Sequence, residues 1–169
     1  MTARGVAPSL IGALVLAAAC TDRAPTDPDP PAPAPATTFQ LQLTGTLDTV
    51  FDGVPEVILN VDGDTGVPTW ILRLAAAPLS SEALVLTRSG GPPGPGIHQL
   101  DIAEEQPTLD ASLFFQGEAF APNSGALDVS ERVGDGIVAT LTLTLIRGAT
   151  GNPAPGDVLH VTGSVDAIP

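Results

Sequence analysis

The sequence predicts an all-β domain, an antiparallel β-sandwich or small barrel of about eight or nine short strands, preceded by a signal peptide and a proline-rich disordered linker. Two observations carry the fold class. Apolar and polar residues alternate with period two through most of the chain beyond residue 38, and Gly, Pro, Asn or Asp bounds nearly every alternating run. No window in that region shows a stripe of apolar residues at helical spacing.

Taken in order, the first run sets Phe39, Leu41 and Leu43 against Gln40, Gln42 and Thr44. Further strands are expected at Glu56 to Val61, Thr69 to Leu74, Ala83 to Arg88, Ile97 to Ile102, Ala111 to Ala119 and Ala126 to Glu131. The clearest alternation sets Ile137, Ala139, Leu141, Leu143 and Leu145 against Thr140, Thr142 and Thr144, and a last strand runs from Val158 to Val165. Leu79 to Leu84, with Ser80 or Ser81 as a cap and Glu82 behind it, is the one stretch suited to a helical turn. The core candidates are Phe39, Leu41, Leu43, Val57, Leu59, Val61, Trp70, Leu72, Leu84, Leu86, Leu113, Phe115, Leu127, Val129, Leu141, Leu143, Leu145, Leu159, Val161 and Val165. By simple parity Phe114 and Phe120 fall on the face opposite Phe115.

Three segments share a pattern: Thr44-Gly45-Thr46-Leu47-Asp48, Ser124-Gly125-Ala126-Leu127-Asp128 and Thr162-Gly163-Ser164-Val165-Asp166. Their unequal spacing excludes a solenoid or propeller, which needs a fixed period. They read as similar strand ends, each with Gly at a bulge or a close crossing. The run Gly90, Gly91, Pro92, Pro93, Gly94, Pro95, Gly96 loses the collagen triplet at Ile97 and reads as a stiff loop.

The segment before the domain changes character twice. Arg4 opens a short basic start, Leu10 to Ala19 is apolar or small, and Cys20 follows. A bilayer core needs about 20 apolar helical residues, and this run is shorter and turns polar at Thr21, Asp22 and Arg23, so export with cleavage is expected rather than a retained span. From residue 21 to 38, Pro25, Pro28, Pro30, Pro31, Pro33 and Pro35 stand among Ala, Thr and Asp. Prolines lack donors and fix φ, so this stretch favours polyproline II and would act as a stalk reaching up to ~50 Å. The expected organisation is residues 1–19 signal peptide, 20–38 anchor and linker, and 39–169 the β domain.

In Ala17, Ala18, Ala19 and Cys20 the chain resembles the bacterial lipoprotein signal, whose lipobox of small and aliphatic residues precedes a lipidated cysteine. That family prefers leucine three places before the cysteine; here Ala17 holds that place and Leu16 the one before it. The resemblance implies a diacylglycerol thioether on Cys20, acyl chains of the palmitate kind, and membrane attachment in the cell envelope. With Thr21 rather than aspartate after the cysteine, it further implies the outer membrane in a two-membraned host. Cys20 is the only cysteine, so no internal disulfide is possible, and a lipid thioether would remove an exposed thiol from an oxidising compartment. A soluble exported protein starting near Cys20 is the alternative. The final strands also resemble those of small β-rich bacterial lipoproteins, which implies no particular activity.

Charge narrows the partners. Residues 39–169 hold sixteen Asp and Glu against Arg73, Arg88, Arg132 and Arg147, a net of −12, and the whole chain has no lysine. Such a surface repels phosphate backbones, which argues against nucleic acid. Among site candidates, Asn60, Asp62 and Asp64 before Gly66 suggest alternating oxygen ligands for calcium, but Thr65 and Ile71 stand where an EF-hand needs Gly and Glu. Asp62-Gly63 as a plain turn is the simpler reading. His98 and His160 are isolated strand histidines without ligands at zinc spacing. Asp101, Glu104, Glu105 and Asp110 are the only acidic stretch suited to paired-carboxylate chemistry, and they read more simply as a solvated loop. No serine has the flanking glycines of a nucleophile elbow, and no His-Glu-x-x-His occurs.

The expected protein is therefore a non-enzymatic, lipid-anchored envelope module, structural or interacting, without cofactor. The alternatives are a carrier of small apolar ligands with a barrel cavity and, further off, a carboxylate-based hydrolase.

Overall fold

The computed structural model describes residues 37–61, 63–100, 109–148 and 156–168. The signal, Cys20 and almost all of the linker lie outside these, as do Asp62, Asp101, Glu104 and Glu105. Among the described residues nine strands form one sheet: β1 Thr38–Gly45, β2 Thr49–Val61, β3 Pro68–Ala75, β4 Ala83–Ser89, β5 Gly96–Leu100, β6 Asp110–Phe115, β7 Glu118–Val133, β8 Gly136–Arg147 and β9 Val158–Asp166. All pairings are antiparallel, and the β7–β8 ladder closes the sheet on itself. The result is an eight-stranded barrel in the order β1-β2-β3-β4-β6-β7-β8-β9, with β5 as an extra strand on the edge of β7 that β6 also uses, further along it.

Eight strands enclose an interior just wide enough for side chains to fill. Here Leu41, Leu43, Trp70, Leu72, Leu84, Leu86, Leu127, Leu141, Leu143 and Leu145 are buried inside it. Phe51 of β2 meets Phe115 of β6 edge-on at 5.2 Å between centroids, and Phe39 meets Phe51 at the same distance, so aromatic rings bridge walls that are not neighbours in the sheet. No polar or charged side chain is buried among the described residues.

The recurring glycines have a steric reason. Gly163 shares a cross-strand row with Leu41 on β1 and Leu141 on β8. A Cβ at Gly163 would strike the Gln40 carbonyl oxygen and come within 2.8 Å of Leu41 Cα and 2.9 Å of Leu41 Cδ2. Gly125 is related in the same way to the Thr142 carbonyl and Leu143, and Gly45 to the Val158 carbonyl. Each glycine is thus a close approach between neighbouring strands, and at Gly163 and Gly125 a leucine side chain fills the space that the missing side chain leaves.

Four expectations need correction. The run from Ala111 to Ala119 is two strands joined by a tight hairpin, because Gln116 and Gly117 both take positive φ (51° and 81°), the geometry of a two-residue primed turn. The turn pairs Leu113 with Phe120, which puts Phe120 inside the barrel beside Phe115 and leaves only Phe114 outward. Leu79 to Leu84 forms no helical turn: Ser80 N–H donates to Ala77 O at 3.2 Å, with Leu79 at φ 64°, in a turn that starts the next strand at Ala83. Leu59 and Val61 are exposed rather than core, since β2 runs on there beyond the end of its pairing with β1, and Val57 is half-buried at the margin of the core, packed against it.

β7 stays in register over its length through two bulges. Asn123 is the extra residue between the pairs Pro122–Leu145 and Ser124–Thr144. The insertion switches parity, so that even-numbered Phe120 and odd-numbered Leu127 and Val129 all point inward. Ser130 is the second extra residue, and its hydroxyl donates to Val138 O at 3.1 Å.

Candidate interaction surfaces

The outer wall over β1, β9, β8 and β7 is a lattice of short polar side chains. Its rows read Gln40, Ser164, Thr140, Asp128; then Gln42, Thr162, Thr142, Ala126; then Thr44, His160, Thr144, Ser124. The same period two that points leucines inward puts these hydroxyl and amide groups outward. His160 Nδ1 lies 3.4 Å from Thr144 Oγ1 within this lattice, on its own strand-pair neighbour.

One mouth of the barrel is capped by the Gly-Pro loop. Arg88 stands opposite Trp70 and Arg132 opposite Ile137, so both start from inward positions at the end of the barrel. Arg88 Nη1 donates to Gly91 O at 2.6 Å and Arg132 Nε to Gly134 O at 3.0 Å, and both guanidinium groups reach Pro92 O at 3.5 Å. His98 Nε2 contacts Gly94 O at 2.7 Å, and Gly90 N–H donates to Pro68 O at 2.8 Å. Gly91 and Pro93 are the buried residues of this loop, while the indole of buried Trp70 donates to Asp135 O at 2.9 Å in the adjoining turn. The other two arginines among the described residues make ion pairs: Arg73 with Glu56 at 3.5 Å and Arg147 with Glu118 at 3.8 Å.

The third surface is the free edge of β2. β1 pairs with β2 only from Thr49 to Gly53, whereas β3 pairs with it from Val54 to Val61. The Gln40 carbonyl is directed at Gly163, and Thr46 N–H donates to Val158 O at 3.0 Å, so even-numbered β1 positions face β9. Odd-numbered positions of β1 therefore face β2, and the register sets odd against odd. Beyond Gly53, the backbone groups of Val57, Leu59 and Val61 point to a side with no partner strand among the described residues, and Pro55 offers only its carbonyl there. Beside this edge runs a shallow groove lined by Thr37, Pro55, Val57, Val133, Asp135 and Ala167. Pro55 was the sequence signal for the edge, since proline inside a strand belongs where its missing donor faces no neighbour.

The other predicted site residues are placed as follows. Cys20 and Asp62 lie outside the described residues; Asn60 is on β2 opposite Thr69, and Asp64 is exposed in the turn after it. Among the described residues no three His, Cys, Asp or Glu side chains gather as metal ligands. His98 and His160 serve different surfaces, the capping loop and the polar wall. Asp110 accepts the N–H of Ala111 at 2.8 Å at the start of β6, and its acidic neighbours lie outside the described residues. Compared with family models, curated proteins and solved structures, the chain matches none of them.

Proposed function

We propose that the chain is an exported cell-envelope protein, anchored by lipid at Cys20, whose barrel is a non-catalytic structural or interaction module carried on a proline-rich stalk. The observation that carries this reading is the order of segments: a short apolar run ending in the only cysteine, then six prolines in a polar stretch, then a domain of alternating strands. Each segment has a physical task in that order. A single acyl chain binds a membrane only marginally, so lasting anchorage takes the two or three chains that the lipoprotein resemblance implies. The stalk lifts the acidic barrel, with its net −12, away from anionic head groups.

What favours an interaction module over an apolar-ligand carrier is the filling of the barrel. Its inward positions are occupied by leucine, tryptophan and phenylalanine, with Phe51 and Phe115 touching across the interior, while the polar outer wall and the unpaired β2 edge offer surfaces. Fractionation of host cells expressing the wild type and Cys20→Ser tests the anchor, combined with crosslinking in intact cells to test the module. The wild type should sediment with membranes and yield a reproducible envelope neighbour, and Cys20→Ser should become soluble. Equal partition of both, or no reproducible neighbour, would overturn the proposal.

A further inference from the structure

We infer that the free edge of β2 accepts an added strand from a partner, an extended peptide of alternating apolar residues flanked by basic ones. The inference rests on reading the barrel as an interaction module and names the surface and the partner class. Three features of the edge support it. Its backbone groups at Val57, Leu59 and Val61 face outward along the strand, which is the template that strand addition uses. Its side chains are apolar and exposed, with Leu59 at 43% and Val61 at 56% on the inner side and Val54 and Ile58 on the outer. Beyond Pro55, which blunts only its start, it lacks the usual protections against pairing: no lysine, no bulge in the β2–β3 ladder, and no charged residue between Val57 and Val61.

Charge decides the occupant. The one carboxylate within the stretch, Glu56, is already paired with Arg73. Exposed Asp52 precedes the apolar stretch, exposed Asp64 follows it, and Asp135 lines the groove alongside, with Asp62 next to Val61 in the sequence. An added strand therefore meets an apolar centre between acidic ends, and lysine or arginine at its own ends complements them. A second copy of this chain would bring the same acids and, on its residues 39–169, another −12. The chain's own linker is poorly suited as well. If β1 were continued backward in register, Pro31, Pro33 and Pro35 would fall opposite Val61, Leu59 and Val57, each without the N–H that the ladder requires.

The test uses the full-length chain and fluorescence anisotropy with a synthetic peptide of alternating valine and threonine flanked by lysine pairs. Controls are the same peptide flanked by glutamates and a lysine-flanked peptide with prolines in its centre. The lysine-flanked strand should bind, and both controls should bind at least about ten-fold more weakly. Leu59→Pro removes one outward donor and leaves the β3 side of β2 unchanged, so it should weaken binding about ten-fold while thermal unfolding stays cooperative. Should Leu59→Pro unfold, Leu59→Glu places a charge on the edge and should weaken the peptide equally. Unchanged binding by the folded edge variant would overturn the inference, as would equal binding of the proline-interrupted peptide. A dimer that the peptide fails to disperse would overturn it too, giving the edge to a second copy. If the peptide fails but crosslinking in cells still recovers a neighbour, the edge is lost and the interaction module stands.

Discussion

Gly163 shows how narrow the tolerances inside this barrel are. The atoms that a Cβ would strike there are backbone, the Gln40 carbonyl and Leu41 Cα, and these cannot swing aside. Gly163→Ala should therefore destabilise the protein by about 1–3 kcal/mol through overpacking, and Gly125→Ala by at least as much, since its φ of 149° adds a backbone strain that alanine resists. Gly63→Ala is the control, since nothing lies within 4 Å of its Cβ position, and it should change stability by less than about 0.5 kcal/mol. Urea unfolding followed by the fluorescence of Trp70, the only tryptophan and a buried one, measures all three. Equal costs at the three sites would contradict the close-approach account. At this scale the sequence was informative: the recurrence of Gly after Thr or Ser marked the crossings, though the leucines that fill them could be named only once the strand register was known.

At the scale of elements, the two-residue turn at Gln116 and Gly117 is held in a geometry that glutamine adopts at a cost. Gln116 N–H donates to Glu82 Oε1 at 3.0 Å, which ties the hairpin to the start of β4. Gln116→Asn should raise stability by about 0.5–1 kcal/mol, because asparagine tolerates positive φ better, and Gln116→Val should lower it. Thermal melts of the two variants would show opposite shifts; two losses would mean that the side chain of Gln116 matters more than its backbone. This turn also explains why one long alternating run conceals two strands. Gln-Gly is not the Asn-Gly or Asp-Gly that signals a hairpin, and period two continues on both sides of it. The first half of β2 was hidden for a related reason, since Gly53 and Pro55 read as breakers while they lie inside a continuous ladder. Conversely, Leu59 and Val61 keep the core's periodicity after leaving the core, because periodicity reports which face a residue is on and not whether that face is covered.

For the molecule as a whole, closure is what sequence periodicity could not supply. The ladders that close the barrel, β1–β9 and β7–β8, join strands by long-range register, and a sandwich would use the same alternating strands. Composition, in contrast, was fully legible and has a measurable consequence. With a net of −12 on residues 39–169, self-repulsion should weaken the folded state at low ionic strength. Raising salt toward about 0.15 M shortens the Debye length to about 8 Å, so the melting temperature should rise over that range. A falling melting temperature would show that the two surface ion pairs, Arg73 with Glu56 and Arg147 with Glu118, outweigh the repulsion.

The proposal that the chain is an anchored envelope module rests on Cys20, and the mature amino terminus tests it most directly. Mass spectrometry of protein recovered from host membranes should find a chain beginning at Cys20 with the mass of a diacylglycerol thioether added. A chain beginning elsewhere, or an unmodified thiol on Cys20, would contradict it.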